Sequence, residues 1–242
     1  MKRCAFLSMD DLGDFFSYDE LLVEPLARRG WEVQTVSWRD PDADWNDYDA
    51  VVIRTPWDYH KEPDRFMEVL EQIDHSSARL ENALELIRWN IDKTYLRELE
   101  QEGIQIVPTL WKNGLNEAAL RESFEALNTD ELVVKPTINA GAEDTFRVQR
   151  VGLNTQLTDK LHAVFSGRPL MIQPFMQSVV EEGEYSLFYF GGHYSHSILK
   201  TPVENDFRVQ EEFGGRLKLV DAGEALREAG RQVMKAVAPT PL

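Results

Sequence analysis

Short apolar runs alternate with helical segments over the first eighty residues, and this alternation restricts the fold more than any other property of the chain. Cys4-Ala5-Phe6-Leu7-Ser8-Met9 reads as a buried strand. Ser17-Tyr18-Asp19-Glu20 has the form of a capping box, in which Ser17 bonds an orphan N–H while Glu20 reaches back. The helix it opens carries Leu21, Leu22 and Leu26 and stops at Gly30, and Pro25 is expected to kink it or delay its start. Strands follow at 31–37 and 49–54, and Pro63 suits the first turn of a helix that runs to about Ile73. A β-α-β-β-α order calls for a small α/β layer built on a parallel sheet.

Past residue 80 the texture changes. Leu84, Ile87, Ile91, Tyr95, Leu96 and Leu99 recur near a 3.6 period, so residues 80–103 read as helical. Short strands are expected at 105–109, 131–135, 146–151 and 170–173, with helices at about 116–127 and 155–166. From Gly183 the pattern is antiparallel: a strand at 184–190, a Gly191-Gly192 turn, a second strand at 193–200, then a helix at 222–237.

Composition narrows the partners. With 26 Lys+Arg against 42 Asp+Glu the net charge is −16, a surface that repels nucleic acid and anionic membrane alike. An anionic ligand in a locally basic pocket is still compatible with it. The hydrophobic content of 43% marks a folded chain. Cys4 is the only cysteine, which excludes an intramolecular disulfide framework and fits a reducing cytoplasm. Lys2-Arg3 and the apolar run behind them imitate a signal peptide, but the run meets Asp10-Asp11 before the roughly 7–15 residues of an h-region. No stretch approaches the ~18 apolar residues of a membrane span. The expectation is a cytoplasmic protein without nucleic-acid or membrane partners, for which a homo-oligomer is compatible.

Several common motifs are missing from the sequence: Gly-x-x-x-x-Gly-Lys, Gly-x-Gly-x-x-Gly and His-Glu-x-x-His. His193 and His196 imitate a metal pair, yet residues three apart in a strand point to opposite faces. Ser197-Ile198-Leu199-Lys200 imitates a Ser-x-x-Lys nucleophile, which needs a helical first turn instead of a strand. Asp10, Asp11 and Asp14 read as a solvated acidic loop in preference to a metal cluster, so no metal ligand is assigned. Arg54-Thr55-Pro56-Trp57-Asp58-Tyr59 lies where an apolar strand ends, the usual ligand edge of an open α/β sheet. Arg54 there either clamps a ligand carboxylate or pairs with a neighbouring acid.

The chemistry concentrates around Leu132-Val133-Val134-Lys135-Pro136 and the small, polar segment 137–145. A lysine at the end of an apolar strand is costly unless it meets an anion, and a loop of small residues can bring backbone N–H groups close to oxyanions. Leu170 to Met176 form an apolar strand leading into an extended Pro segment that can offer backbone groups to the edge of a base. Glu181, Glu182 and Glu184 supply acids suited to ribose hydroxyls, and Lys200 and Arg208 supply further cations.

In this order, together with Trp89 to Leu96, Val107-Pro108-Thr109, Gly183-Glu184-Tyr185-Ser186 and Ser195 to Pro202, these segments resemble the ATP-grasp superfamily. Within it they are similar to the glutathione synthetase ATP-binding-domain group and to the cycloserine-forming O-ureido-serine cyclo-ligase type. The resemblance runs across essentially the whole chain and is specific for family, not for substrate. It implies an N-terminal parallel α/β domain (1–80), connecting helices (81–104), and an ATP-grasp fold of two α+β subdomains (105–172 and 173–242). Lys93 and Lys135 then resemble the phosphate lysines, and the segment with Gly141 and Ala142 the loop that closes over them. Gln173, Pro174, Phe175 and Met176 are similar to the adenine hinge, and Glu184 to the ribose acid, with Glu181 its nearer rival. Lys200 and Arg208 match the catalytic cations facing the γ-phosphate and the acyl phosphate, and Arg54, Trp57 and Asp58 fall on the substrate side. The implied partners are ATP, Mg²⁺ and a small carboxylate-bearing substrate, and the implied activity is carboxylate–amine ligation through an acyl phosphate.

One departure stands out. In the family an Asp or Glu and a Glu-x-Asn pair hold Mg²⁺ on strands after the last long helix, whereas here only Ala238-Pro239-Thr240-Pro241-Leu242 follows. The second subdomain is therefore expected to be incomplete, with the Mg²⁺ ligands beyond Leu242. On this expectation the 242-residue chain binds ATP weakly at best and turns nothing over. A nucleotide-binding or interaction module without turnover is the alternative.

Overall fold

The computed structural model describes residues 1–204 and 206–237, so the short stretch 238–242 that follows the last expected helix lies outside the described residues. The chain divides into two compact units, one formed by Met1–Ile91 with Glu184–Leu242 and the other by Asp92–Gly183.

The first unit opens with the expected alternation. Strands β1 (Lys2–Ser8), β2 (Trp31–Ser37), β3 (Ala50–Thr55) and β4 (Arg79–Glu81) form a parallel sheet in the order β2-β1-β3-β4. Helix α1 (Glu20–Ala27) joins β1 to β2, and α2 (Pro63–Asp74) joins β3 to β4. One face of the sheet is dry: Ala5, Leu7 and Val51 pack against Phe66, Leu70 and Ile73 of α2. Alternation in β1 sends Cys4 and Phe6 to the other face, where α1 buries none of its residues. The capping box does not form as expected. Ser17 Oγ accepts instead from the Asp19 N–H at 3.3 Å, a local turn that leaves the helix to begin at Glu20. The three-residue β4 has one buried side chain, Leu80, too little to show a period in the sequence.

The same unit carries an antiparallel sheet, β9 (Glu184–Phe190), β10 (His193–Thr201) and β11 (Arg216–Val220), in the order β11-β10-β9. Gly191 and Gly192 make the hairpin turn with φ of 55° and 81°, the paired positive values of a two-residue turn that matches strand twist. The strand β11 adds to the expected pair, with Leu217 and Leu219 left exposed on this sheet edge. Helix α8 (Gly223–Ala236) follows close to the expected bounds.

The helical stretch expected at 80–103 is two helices, α3 (Leu84–Asn90) and α4 (Tyr95–Gln101). The break has a local cause. Asp92 Oδ1 accepts the Thr94 N–H at 2.8 Å, and the Lys93 N–H turns to the Thr137 carbonyl at 2.9 Å.

The second unit is built on a four-stranded antiparallel sheet of β5 (Leu110–Asn113), β6 (Glu131–Pro136), β7 (Phe146–Gln149) and β8 (Pro169–Pro174), in the order β5-β8-β6-β7. Helices α5 (Glu117–Ala126) and α6 (Thr155–Phe165) cover one face, and Phe124, Phe165, Leu132 and Ile172 are fully buried between the layers. The strand expected at 105–109 starts instead at Leu110. Pro108 has no N–H for a ladder, and the Thr109 hydroxyl caps the Val107 carbonyl at 2.7 Å. A short helix, α7 (Gln177–Glu181), follows β8 and was not expected.

Removing the Phe165 ring empties the middle of this core, so Phe165→Ala should cost about 3–5 kcal/mol. Urea unfolding would show a lower midpoint, while Val151→Ala, at 93% exposure, should leave it unchanged.

Candidate functional site

Strand β6 sorts its residues by the period of two. Leu132 and Val134 enter the core, which turns Glu131, Val133 and Lys135 to the opposite face. On that face register sets Met171 of β8 beside Lys135 and Trp111 of β5 beside Met171; Gln173 and Arg147 flank Val133.

Lys93 meets the end of this strand. Its Nζ donates to the Asn139 carbonyl at 2.8 Å, and the Thr137 hydroxyl donates to Asp92 Oδ2 at 2.9 Å, so the residues before α4 are tied to those after β6. Burial first, and then the positive charge of Lys135, lower the Lys93 ammonium to a pKa of about 8, with Asp92 offsetting part of the effect. Two cations held close in a half-buried place create a demand for an anion. The structure thus brings together Lys93 and Lys135.

Beside them, Gly141, Ala142 and Asp144 are left-handed, with φ of 58°, 56° and 52°. An L-residue in that region costs about 1–2 kcal/mol, so the loop is held against a local preference. Its base supplies the restraint. Arg168 pairs with Asp144 at 2.6 Å, and the Asn139 amide donates to the Glu143 carbonyl at 2.7 Å and to Thr145 Oγ1 at 3.2 Å.

The segment compared with an adenine hinge is also anchored. The Gln173 amide donates to Thr109 Oγ1 at 2.9 Å, the Phe175 N–H donates to the Glu131 carbonyl at 2.9 Å, and the Met176 carbonyl accepts from Val179 at 3.0 Å as α7 begins. The expectation of open backbone groups is therefore corrected at these two positions, because pairing with β6 and the turn into α7 engage them. Arg147 stacks 3.7 Å over the Phe175 ring, and Glu131 holds that guanidinium through Oε2 at 2.7 and 3.2 Å. Thr109 and Asp92 fall in segments that carry the resemblance but had no role of their own there, and Glu131 and Arg147 were not singled out in the sequence. For Arg147 and Glu131 the available signal was their place on one face of the β6–β7 pair.

The remaining predicted residues lie in the first unit. Glu184 and Lys200 stand opposite each other in β9 and β10 and form an ion pair at 3.3 Å. Arg208 donates to both oxygens of Asp206 and stacks 3.8 Å from the Phe213 ring centre. The Arg208 bonds, with help from two backbone N–H groups, hold the Asp206 carboxyl down at about 2. Arg54 donates through Nε to Asp19 at 2.8 Å, so of its two readings the structure shows the neighbouring acid. Asp58 accepts from Trp38 Nε1 at 2.8 Å and from Arg39, and the Trp57 ring lies 5.3 Å from Phe15. Among the described residues no group of three or more His, Cys, Asp or Glu is placed to hold a metal ion, and no helix is long and apolar enough to cross a membrane.

Residues 4–82 match the family described as D-cycloserine synthetase DcsG, N-terminal domain. The cycloserine biosynthesis protein DcsG of Streptomyces lavendulae is 32% identical over 182 residues, which cover 74% of this chain and 60% of that protein. The matched region thus spans less than two thirds of this relative's length. A crystal structure of D-cycloserine synthetase DcsG is similar with a TM-score of 0.81 at 30% identity, covering 97% of this chain and 80% of that one. The ATP-grasp ligase PsnB, in complex with minimal precursor, Mg and ADP, shares the fold with a TM-score of 0.60 at 17% identity, over 98% of this chain and 81% of PsnB.

The depressed Lys93 ammonium sets a pH dependence. Below about 8 it is charged and an anion binds without proton uptake; above 8 it must regain a proton, so affinity falls as pH rises. Calorimetry with metal-free ATP between roughly pH 7.5 and 9.5 should show weakening by up to about tenfold per pH unit, with proton uptake. Lys93→Met should flatten the profile.

Proposed function

The chain belongs to the ATP-grasp superfamily, in the group of D-cycloserine synthetase DcsG, and on that premise we propose that it is an ATP-dependent ligase joining a small carboxylate-bearing substrate to an amine or similar nucleophile. The observation that carries the reading is the paired cations Lys93 and Lys135 beside a left-handed loop of small residues. That combination suits a polyphosphate. The anchored segment Gln173 to Met176, with Phe175 under Arg147, is assigned to the adenine. Glu184 is assigned to the ribose, and Lys200 and Arg208 to the transferring phosphoryl group. Identity to DcsG favours a small amino-acid derivative as substrate, with Arg54, Trp57 and Asp58 on its side of the protein.

In the reaction a substrate carboxylate oxygen attacks the γ-phosphorus, the bond to the bridging oxygen breaks, and ADP leaves an acyl phosphate. The nucleophile's nitrogen then attacks the acyl carbon, losing a proton as inorganic phosphate departs. No side chain forms a covalent bond. The protein aligns the reacting atoms and offsets charge on the phosphoryl oxygens, the two effects that dominate phosphoryl transfer. Closing the loop around Gly141 and Ala142 keeps water from the acyl phosphate. The Mg and ADP held by PsnB support Mg²⁺ as the companion of ATP, where it would neutralise phosphate charge. Among the described residues the donor set for that ion is not present, so none is assigned to it.

Lys135→Ala should weaken ATP binding by about 1–3 kcal/mol, the range for a lost charge-assisted contact. Calorimetry would measure it, and an unchanged Kd would remove Lys135 from the site. Release of ADP that depends on both a carboxylate and an amine would establish the ligase. ATP binding with no ADP release under those conditions would identify a nucleotide-binding module instead.

A further inference from the structure

The sheet of the first unit has a switch point. From β1 the chain passes through α1 to β2 on one side, and then returns to place β3 on the other side of β1. Open α/β sheets bind ligands in the crevice at the carboxyl ends of the two strands where that reversal occurs. Here those ends are Ser8 and Thr55, and a cavity of about 410 Å³ opens over them. That volume falls within the roughly 300–1,000 Å³ range of small-molecule sites.

The lining defines the ligand. On the floor Thr55 and Ser8, at 4% and 2% exposure, are hydrogen-bonded hydroxyl to hydroxyl at 2.7 Å. Two hydroxyls joined by one bond hold one O–H proton more than they use, so this pair presents a donor. On the wall stands Asp19, whose Oδ1 accepts from Nε and Nη2 of Arg54, a residue outside the lining, and whose Oδ2 has no partner among the described residues. Glu20 adds a second carboxylate, Phe15 and Phe16 close the apolar side, and none of the lining side chains is basic. Such a lining takes an N–H donor, above all an ammonium, and repels a carboxylate or phosphate.

We propose that this cavity holds the amine-bearing end of a small substrate, its ammonium on Asp19 and a hydroxyl or carbonyl oxygen on the Ser8–Thr55 pair. Arg54 then acts through Asp19 as a positioning residue and does not clamp the substrate carboxylate. The proposal rests on the ligase reading for the term substrate, but the binding it requires is independent of ATP. The wall is also tied to the segment that bears Arg208, since the Tyr18 hydroxyl donates to Glu211 at 2.7 Å. A ligand seated between Asp19 and Ser8 therefore rests against a wall fastened to Glu211, three residues from Arg208.

The experiment titrates the full chain with serinamide, which carries an ammonium, a hydroxyl and a carbonyl but no carboxylate, and with its desamino analogue 3-hydroxypropanamide. Ligand-observed NMR reads both, and ATP affinity is measured separately for each variant. The expected result is saturable binding of one serinamide enantiomer and at least tenfold weaker binding of the desamino analogue. Asp19→Asn should weaken serinamide at least tenfold, and Thr35→Trp, which fills the cavity from the β2 side, should abolish its binding; both should leave the ATP Kd unchanged. Serinamide binding that survives both substitutions, equal binding of the two probes, or no binding of either enantiomer would overturn the proposal. A wild-type chain that binds serinamide but not ATP would refute the ligase reading and leave this site standing.

Discussion

Two lysines that repel each other are the constraint around which the second unit is arranged. Burial and the neighbouring charge both work against the Lys93 ammonium, and the groups that answer them are specific. The Asn139 carbonyl takes the Lys93 Nζ, and Asp92 lies near enough to offset part of the repulsion. Other bonds of these two residues, from the Thr94 N–H to Asp92 and from the Lys93 N–H to the Thr137 carbonyl, break the helix between α3 and α4, and Asp92 also accepts from Thr137 at the end of β6. Electrostatic need and backbone geometry therefore have one solution here: the helix must stop where it does for Lys93 to reach the strand end.

The neighbouring loop follows from it. Because Asn139 is held from below and Asp144 from the side, the residues between them keep left-handed conformations that an isolated alanine would leave. The anchoring of Gln173 and Phe175 has the same character. Thr109, Glu131 of β6 and Arg147 of β7 hold this segment in place, so a ligand that binds there would meet groups already ordered.

Much of this was legible in the sequence, and the exceptions have physical reasons. Lys135 was visible because an apolar run ended in a charge, and the parallel sheet because strands and helices alternated. Arg147 was invisible as a positioning group, since its value lies in a cross-strand contact with Glu131 and a ring from another strand. The split between α3 and α4 was hidden because the 3.6 period continues through Ile91 and Tyr95, while the interruption comes from a local bond of Asp92 to the Thr94 N–H and a tertiary one from the Lys93 N–H to Thr137. Arg54 shows the limit most plainly: a guanidinium at a strand end looks the same in sequence whether it faces a ligand or Asp19, and only the fold distinguishes them.

The discontinuity of the first unit has a consequence for the order of assembly. Its polypeptide comes from Met1–Ile91 and from Glu184–Leu242, whereas the second unit is one unbroken segment. During synthesis the second unit has all its strands by Gly183 and can close on local contacts. The hairpin of Glu184 and Lys200, and Glu211 that receives Tyr18, are made only afterwards. Contacts spanning 193 residues, such as that of Tyr18 with Glu211, carry the largest loop-closure entropy in the chain and form late. The nascent protein therefore acquires Lys93 and Lys135 before Glu184 and Lys200, so a ribosome-bound intermediate would hold the paired lysines in a folded unit before the first unit is complete.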